Sequence, residues 1–148
     1  MNQISSDKVF IIAELSANHG NDLDTAIKSI RSIKKTGADA VKLQTYRPDT
    51  ITLNSSKNDF IISGGTIWDK KRLFDLYEEA YLPWKWHEKL FSVAKDEGLI
   101  CFSSPFDKSA VDYLENLNSP IYKIASFEMT DLNLVKKISK TKKPIIIS

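Results

Sequence analysis

The chain has one cysteine in 148 residues, and that scarcity sets the first limits. With Cys101 alone, no internal disulfide can form and no zinc site can be built on several thiolates, which agrees with a reducing cytoplasm. Charge of one sign is missing as well. Lysine and arginine number 21 against 19 acidic residues, too small a surplus to point to nucleic acid or to an anionic membrane surface. Long apolar runs are absent too: Val9 to Ala13 is far too short to cross a bilayer, and no charged leader precedes it. No low-complexity tract breaks the chain. These absences leave a cytoplasmic globular domain whose expected partners are small molecules, with no nucleic acid and no membrane.

What is present is a series of short apolar strands, two of them carrying a lysine. In Gly37–Tyr46 alternate side chains point to opposite faces, so Val41 and Leu43 look one way while Lys42 and Gln44 look the other. The first face suits packing under helices; the second holds an ammonium and an amide, and an unpaired charge there costs several kcal/mol, roughly. Something anionic is expected opposite Lys42. Ile121–Ser126 repeats the conflict with Lys123.

In chain order, Val9–Glu14 reads as a fully buried strand ending at a carboxylate, followed by the polar loop Ser16–Gly20. Leu23, Ala26, Ile27, Ile30 and Ile33 recur at helical spacing from about Asp22 to Thr36, with Asn21 or Asp22 as cap and Gly37 as stop. Strand, helix and strand of that size make a parallel βαβ unit. From about 46 to 70 the periodicity lapses, and this stretch is expected as an inserted loop at the mouth of a site. Helices follow at about 71–82 and from Pro83 to Gly98, with Pro83 in the first turn of the second. A third strand, Leu99–Ser103, leads through Asp107, a predicted cap, into a helix ending near Leu117. Lys123 lies in the fourth strand, Leu132–Ser139 forms the next helix, and Pro144–Ser148 is the fifth strand. Ser104, Ser126 and Ser148 recur every 22 residues, the rhythm of repeated βα units.

Five parallel strands with intervening helices allow an open doubly wound sheet or part of an eight-stranded TIM barrel. Helices cover both faces of an open sheet, which would force the mid-strand lysines into apolar layers. A barrel interior accepts them near its C-terminal end, where Glu14, Lys42, Gln44, Ser104, Lys123 and Ser126 all fall. The barrel is therefore the expected fold, in N-terminal part only, since a whole one takes about 250 residues. The plainer alternative makes Lys42 and Lys123 structural, snorkelling outward or paired with Glu14 and Asp39. A loop position predicts an ordinary solvated His19, His87 falls at a periodic position of its helix, and Trp68, Trp84 and Trp86 are expected to pack.

The stretches Phe10–Glu14 with Asn18-His19-Gly20, Gly37–Thr45, Phe102–Asp107 and Tyr122–Glu128 resemble the sialic acid synthase family. Gly64–Asp69 and Leu76–Trp84 resemble its pseudaminic acid synthase branch. The resemblance implies a barrel enzyme that condenses phosphoenolpyruvate with an open-chain 2,4-diacetamido-trideoxy hexose to give a nonulosonic acid and phosphate. The alkene carbon attacks the sugar aldehyde, a divalent metal (Mn or Mg) polarises that aldehyde, water attacks the cationic C2, and phosphate leaves by C–O cleavage. Carried over by position, Lys42, Gln44, Lys123 and Ser126 hold phosphoenolpyruvate, Ser104 and Ser148 add hydroxyls, and Glu14 and Glu128 face the sugar. Glu14, Lys42 and Lys123 are the expected catalytic residues. The metal ligands, the later strands, and a C-terminal antifreeze-like domain that supports a homodimer are not expected within 1–148. Alternatives are an N-acetylneuraminate synthase, a Schiff-base aldolase built on an inward lysine, and a noncatalytic anion-binding remnant.

Overall fold

The structure is a computed structural model that describes residues 8–148. Its centre is the strand Ala40–Thr45 (β2), flanked in parallel register by Ile12–Glu14 (β1) and Ile100–Pro105 (β3). Tyr122–Ile124 (β4) and Ile145–Ile147 (β5) continue the sheet in the order β1-β2-β3-β4-β5. A doubly wound sheet reverses direction at a switch point, whereas strands laid down strictly in sequence keep every crossover helix on one side. The sheet is a half-barrel.

The two faces bear this out. Val41, Leu43 and Cys101 project outward against Ala26 and Ile30 of helix Leu23–Lys35 (α1) and Leu90, Val93 and Ala94 of helix Trp84–Asp96 (α4). Between α1 and α4 the chain forms a helical turn, Pro48–Ile51 (α2), and helix Leu73–Ala80 (α3). Tyr122 and Ile124 meet Val111 and Leu114 of helix Lys108–Asn116 (α5) and Leu134 and Ile138 of helix Leu132–Ser139 (α6). Each fully buried aliphatic side chain there contributes about 1.5–3 kcal/mol. On the opposite face Ala40, Phe102 and Ile121 pack with Phe10, Ile12, Ile100 and Ile146, a plug supplied by the strands and their approaches alone. The polar inner residues stand above this plug.

Local chemistry explains the element ends. Asp22 caps α1 by accepting from the Thr25 N–H at 3.0 Å, and Gly37, at φ +85°, turns the chain off it. Asp107 caps α5, accepting from the Ser109 N–H at 2.7 Å. Pro83 sits at the N-cap of α4, one residue ahead of the expected first turn. In the stretch expected as an inserted loop, Ile61 and Arg72 form an antiparallel bridge, and Asp69 accepts from the Gly65 and Thr66 N–H groups at 3.0 and 2.9 Å.

The expected fully buried first strand is corrected. Only Ile12–Glu14 is strand, and Val9 and Ile11 are 79% and 51% exposed. β1 is an edge of this sheet, and among the described residues no helix covers the outward face at those two positions. Apolar composition alone cannot tell an edge strand from a central one.

Candidate functional site

The inner residues of β1 to β5 converge above the apolar plug. Glu14 is the last residue of β1 and Lys42 its register partner on β2, and the Lys42 ammonium lies 2.6 Å from the Glu14 carboxylate. Lys42 is largely enclosed, its side chain 13% exposed, whereas Glu14 is 44% exposed. A pair so open on one side is worth no more than about 1 kcal/mol, so it stabilises the empty site without locking it. The structural ion pair weighed from the sequence thus holds for Glu14. It does not hold for Asp39, which lies below the plug, accepting from the Ile11 N–H at 2.9 Å with Lys8 at 3.5 Å.

Two residues along β2, Gln44 stands opposite the buried Ser104, and the Gln44 Oε1 accepts from the Ser16 hydroxyl at 3.1 Å. On β4, Lys123 donates to the Ile124 carbonyl at 2.9 Å and to the Ser148 hydroxyl. Burial and the neighbouring charge of Lys42 push the Lys123 ammonium below the usual lysine range, while Glu14 and Glu128 pull it back. Glu128 opens the short 3-10 turn Glu128–Thr130 after β4. Burial raises its carboxyl above the usual range against the attraction of Lys123, and its Oε2 is buried with no hydrogen-bond partner among the described residues. Ser126 is exposed on the turn that leaves β4. One end of the half-barrel therefore gathers two cations, two carboxylates of different openness, an amide and the hydroxyls of Ser16, Ser104 and Ser148. Such a set suits a small dianion held beside a polar, neutral molecule.

This chain also matches the family described as NeuB over residues 29–148. The chain belongs to the NeuB family. It is 57% identical over 141 residues to a pseudaminic acid synthase of Campylobacter jejuni, covering 95% of this chain and 41% of that protein. A pseudaminic acid synthase of Helicobacter pylori is 54% identical over 138 residues, covering 93% and 40%. The fold superposes on the N-acetylneuraminic acid synthetase of Leptospira borgpetersenii with a TM-score of 0.77 and 25% identity, covering 94% of this chain and 44% of that one. The chain spans about two fifths of the length of the curated relatives it matches.

Of the two histidines, His19 departs from the expectation drawn from the sequence, and His87 lies on the periodic face of α4 as expected. His19 is fully buried, not solvated: its Nδ1 accepts from the Asn21 N–H at 3.0 Å and its ring meets Trp86 edge-on at 5.7 Å. His87 is also fully buried, with Nε2 2.8 Å from the Thr45 hydroxyl, and burial pushes its pKa down to about 4. Each ring has a nitrogen committed within the fold, and among the described residues no group of three or more His, Cys, Asp and Glu side chains is placed to hold a metal ion. These residues do not fit the divalent metal that the sequence resemblance implies. Trp84 and Trp86 pack as expected, but Trp68 is 48% exposed on the segment between α2 and α3. Among the described residues no helix is long and apolar enough to cross a membrane.

Sequence reasoning missed Ser16, Thr45 and Ser103. A signal was available for two of them: Thr45 and Ser103 are hydroxyls on the outward, helix-facing side of their strands, and a buried hydroxyl needs a partner.

Proposed function

We propose that this chain forms the phosphoenolpyruvate-binding part of a pseudaminic acid synthase type of enzyme, a carbon–carbon bond-forming transferase. The observation that carries the reading is the pair of inward lysines on β2 and β4, each with a carboxylate in reach and neither inside an apolar layer. Phosphoenolpyruvate carries a carboxylate and a phosphate, and two ammonium groups with the hydroxyls of Ser104, Ser126 and Ser148 match both. On binding, the ligand replaces Glu14 as the counter-ion of Lys42. Glu14 is thereby released toward the second substrate, an open-chain 2,4-diacetamido-trideoxy hexose, beside Glu128 and Gln44.

The residues of this chain hold the enol phosphate with its nucleophilic carbon toward the sugar aldehyde and neutralise the phosphate as it departs. Glu128, whose carboxyl burial raises above the usual carboxylate range, is placed to exchange a proton at the reacting end. Catalysis belongs to the assembled barrel, of which 1–148 supplies five strands of the eight a closed one needs. Cytoplasmic location and a homodimer complete the proposal.

Calorimetric titration with phosphoenolpyruvate, followed by a phosphate-release assay with the diacetamido sugar, tests it. Turnover that prefers N-acetylmannosamine would move the reading to the N-acetylneuraminate branch. A second reading rests on Lys123, whose lowered pKa also suits an imine-forming amine. Borohydride with pyruvate would trap a covalent adduct on that lysine if the protein were an aldolase.

A further inference from the structure

Three polar side chains, Thr45, His87 and Ser103, are wholly buried between the sheet and α4, on the face away from the site. The Thr45 hydroxyl joins them, 2.8 Å from His87 Nε2 and 2.7 Å from Ser103 Oγ. Apolar residues of similar volume would pack in that layer without any need for partners, so packing alone does not account for the trio.

Its position in the register does. Thr45 follows Gln44, Ser103 precedes Ser104, and Gln44 and Ser104 are register partners on the inner face. Successive side chains of a strand share backbone torsions, so fixing the outward residue fixes the inward one beside it. The ladder ends here: Thr45 and Pro105 are the last register pair of β2 and β3, and the Phe106 N–H donates to the Thr45 carbonyl at 3.3 Å. The first turn of α4 secures the next residue as well, the Trp84 indole N–H donating to the Tyr46 carbonyl at 3.0 Å. Trp84 is itself stacked on Tyr113, ring centroids 4.8 Å apart, and the Tyr113 hydroxyl donates to its carbonyl. His87, with its lowered pKa, stays neutral near pH 7, so the contact makes no use of charge.

We infer that Thr45, His87 and Ser103 are positioning residues, a clamp behind the strands that sets the inward direction of Gln44 and Ser104. The inference rests on the synthase reading only for what Gln44 and Ser104 touch. In the intact protein, Thr45→Val removes the hydroxyl and keeps the shape, while Thr45→Ser keeps the hydroxyl.

The expected result for Thr45→Val is a KM for phosphoenolpyruvate raised about tenfold or more, with kcat within about twofold, since small displacements of binding groups act strongly. In the ligand-free protein the side-chain amide resonances of Gln44 should shift, and Thr45→Ser should match the parent in both measurements. A role confined to folding would instead lower the active fraction, reducing kcat with KM unchanged, and that outcome overturns the clamp. So does a Thr45→Ser variant as impaired as Thr45→Val. Should Thr45→Val not fold, His87→Gln is compared with Thr45→Ser by the same two readouts, with the same expected and overturning results. A parent protein without turnover would sink the synthase reading, and the Gln44 resonances alone would then decide the clamp.

Discussion

Replacing Lys42 by methionine keeps most of the side chain's volume and removes its charge, which makes it a direct probe of the anion site. The Lys42 side chain is only 13% exposed, so a ligand that displaces Glu14 meets a cation shielded from bulk screening. A charge-assisted hydrogen bond in such a setting contributes about 2 kcal/mol, equivalent to about thirtyfold in Kd. The cost to folding is much smaller. Glu14 is 44% exposed and water takes over its solvation, so the lost pair removes less than about 1 kcal/mol, or about 3 °C in Tm. Lys42→Met should therefore bind phosphoenolpyruvate about thirtyfold more weakly, bind the uncharged sugar with little change, and melt close to the parent. Titration calorimetry with each ligand, alongside a thermal melt, measures all three. Equal losses for the two ligands, or unaltered phosphoenolpyruvate affinity, would refute the assignment of Lys42 to the anion.

Phosphoenolpyruvate affinity should decline as pH rises through the lowered pKa of Lys123, beginning below the usual lysine range, and Lys123→Ala should abolish that decline in a series of calorimetric titrations. His87 is neutral in the fold down to about pH 4 but takes a proton near 6.5 when unfolded. The unfolded state thus binds the extra proton between those values, and stability falls as pH drops from 6.5 toward 4, by roughly 3 kcal/mol in all. Thermal melts should show a flatter pH dependence for His87→Gln over that window. Glu14→Gln should depress sugar turnover more than phosphoenolpyruvate affinity, as judged by initial rates against Kd. Expressed alone, residues 1–148 should self-associate in sedimentation, because Val9 and Ile11, just ahead of β1, and Ile147 on β5 are 79%, 51% and 60% exposed at the two edges of the sheet, and a well-behaved monomer would contradict this.

Much of the architecture was legible because period-2 alternation reports directly on faces. Val41 and Leu43 against Lys42 and Gln44 separated the helix-facing side of β2 from the interior, whereas the equally spaced serines do not mark equivalent points: Ser104 lies within β3, and Ser126 and Ser148 follow the ends of β4 and β5. Lys42 and Lys123 announced a site because a cation in an apolar strand demands an explanation. What was not legible depends on neighbours distant in sequence. His87 is 42 residues from Thr45, and the helical periodicity that places His87 on the inner face of α4 does not say which strand hydroxyl it meets there. The burial of His19 depends likewise on Trp86, and the exposure of Val9 and Ile11 on which strand lies at the edge.

The alternation along β2 also governs what kinds of genetic change this segment can absorb. Single substitutions in Ala40–Thr45 alter one face at a time and leave the others in place. A one-codon deletion does not, because every residue beyond it changes sides. Leu43 would enter the cluster of charges, and Gln44 would be driven beneath the helices with no partner there. Length should therefore be held fixed through β2 while the composition of its inner face drifts with the ligand. Gains and losses of residues should collect in the segment between α2 and α3, where Ile67 is 91% exposed and a shift in chain length disturbs no layer of the core.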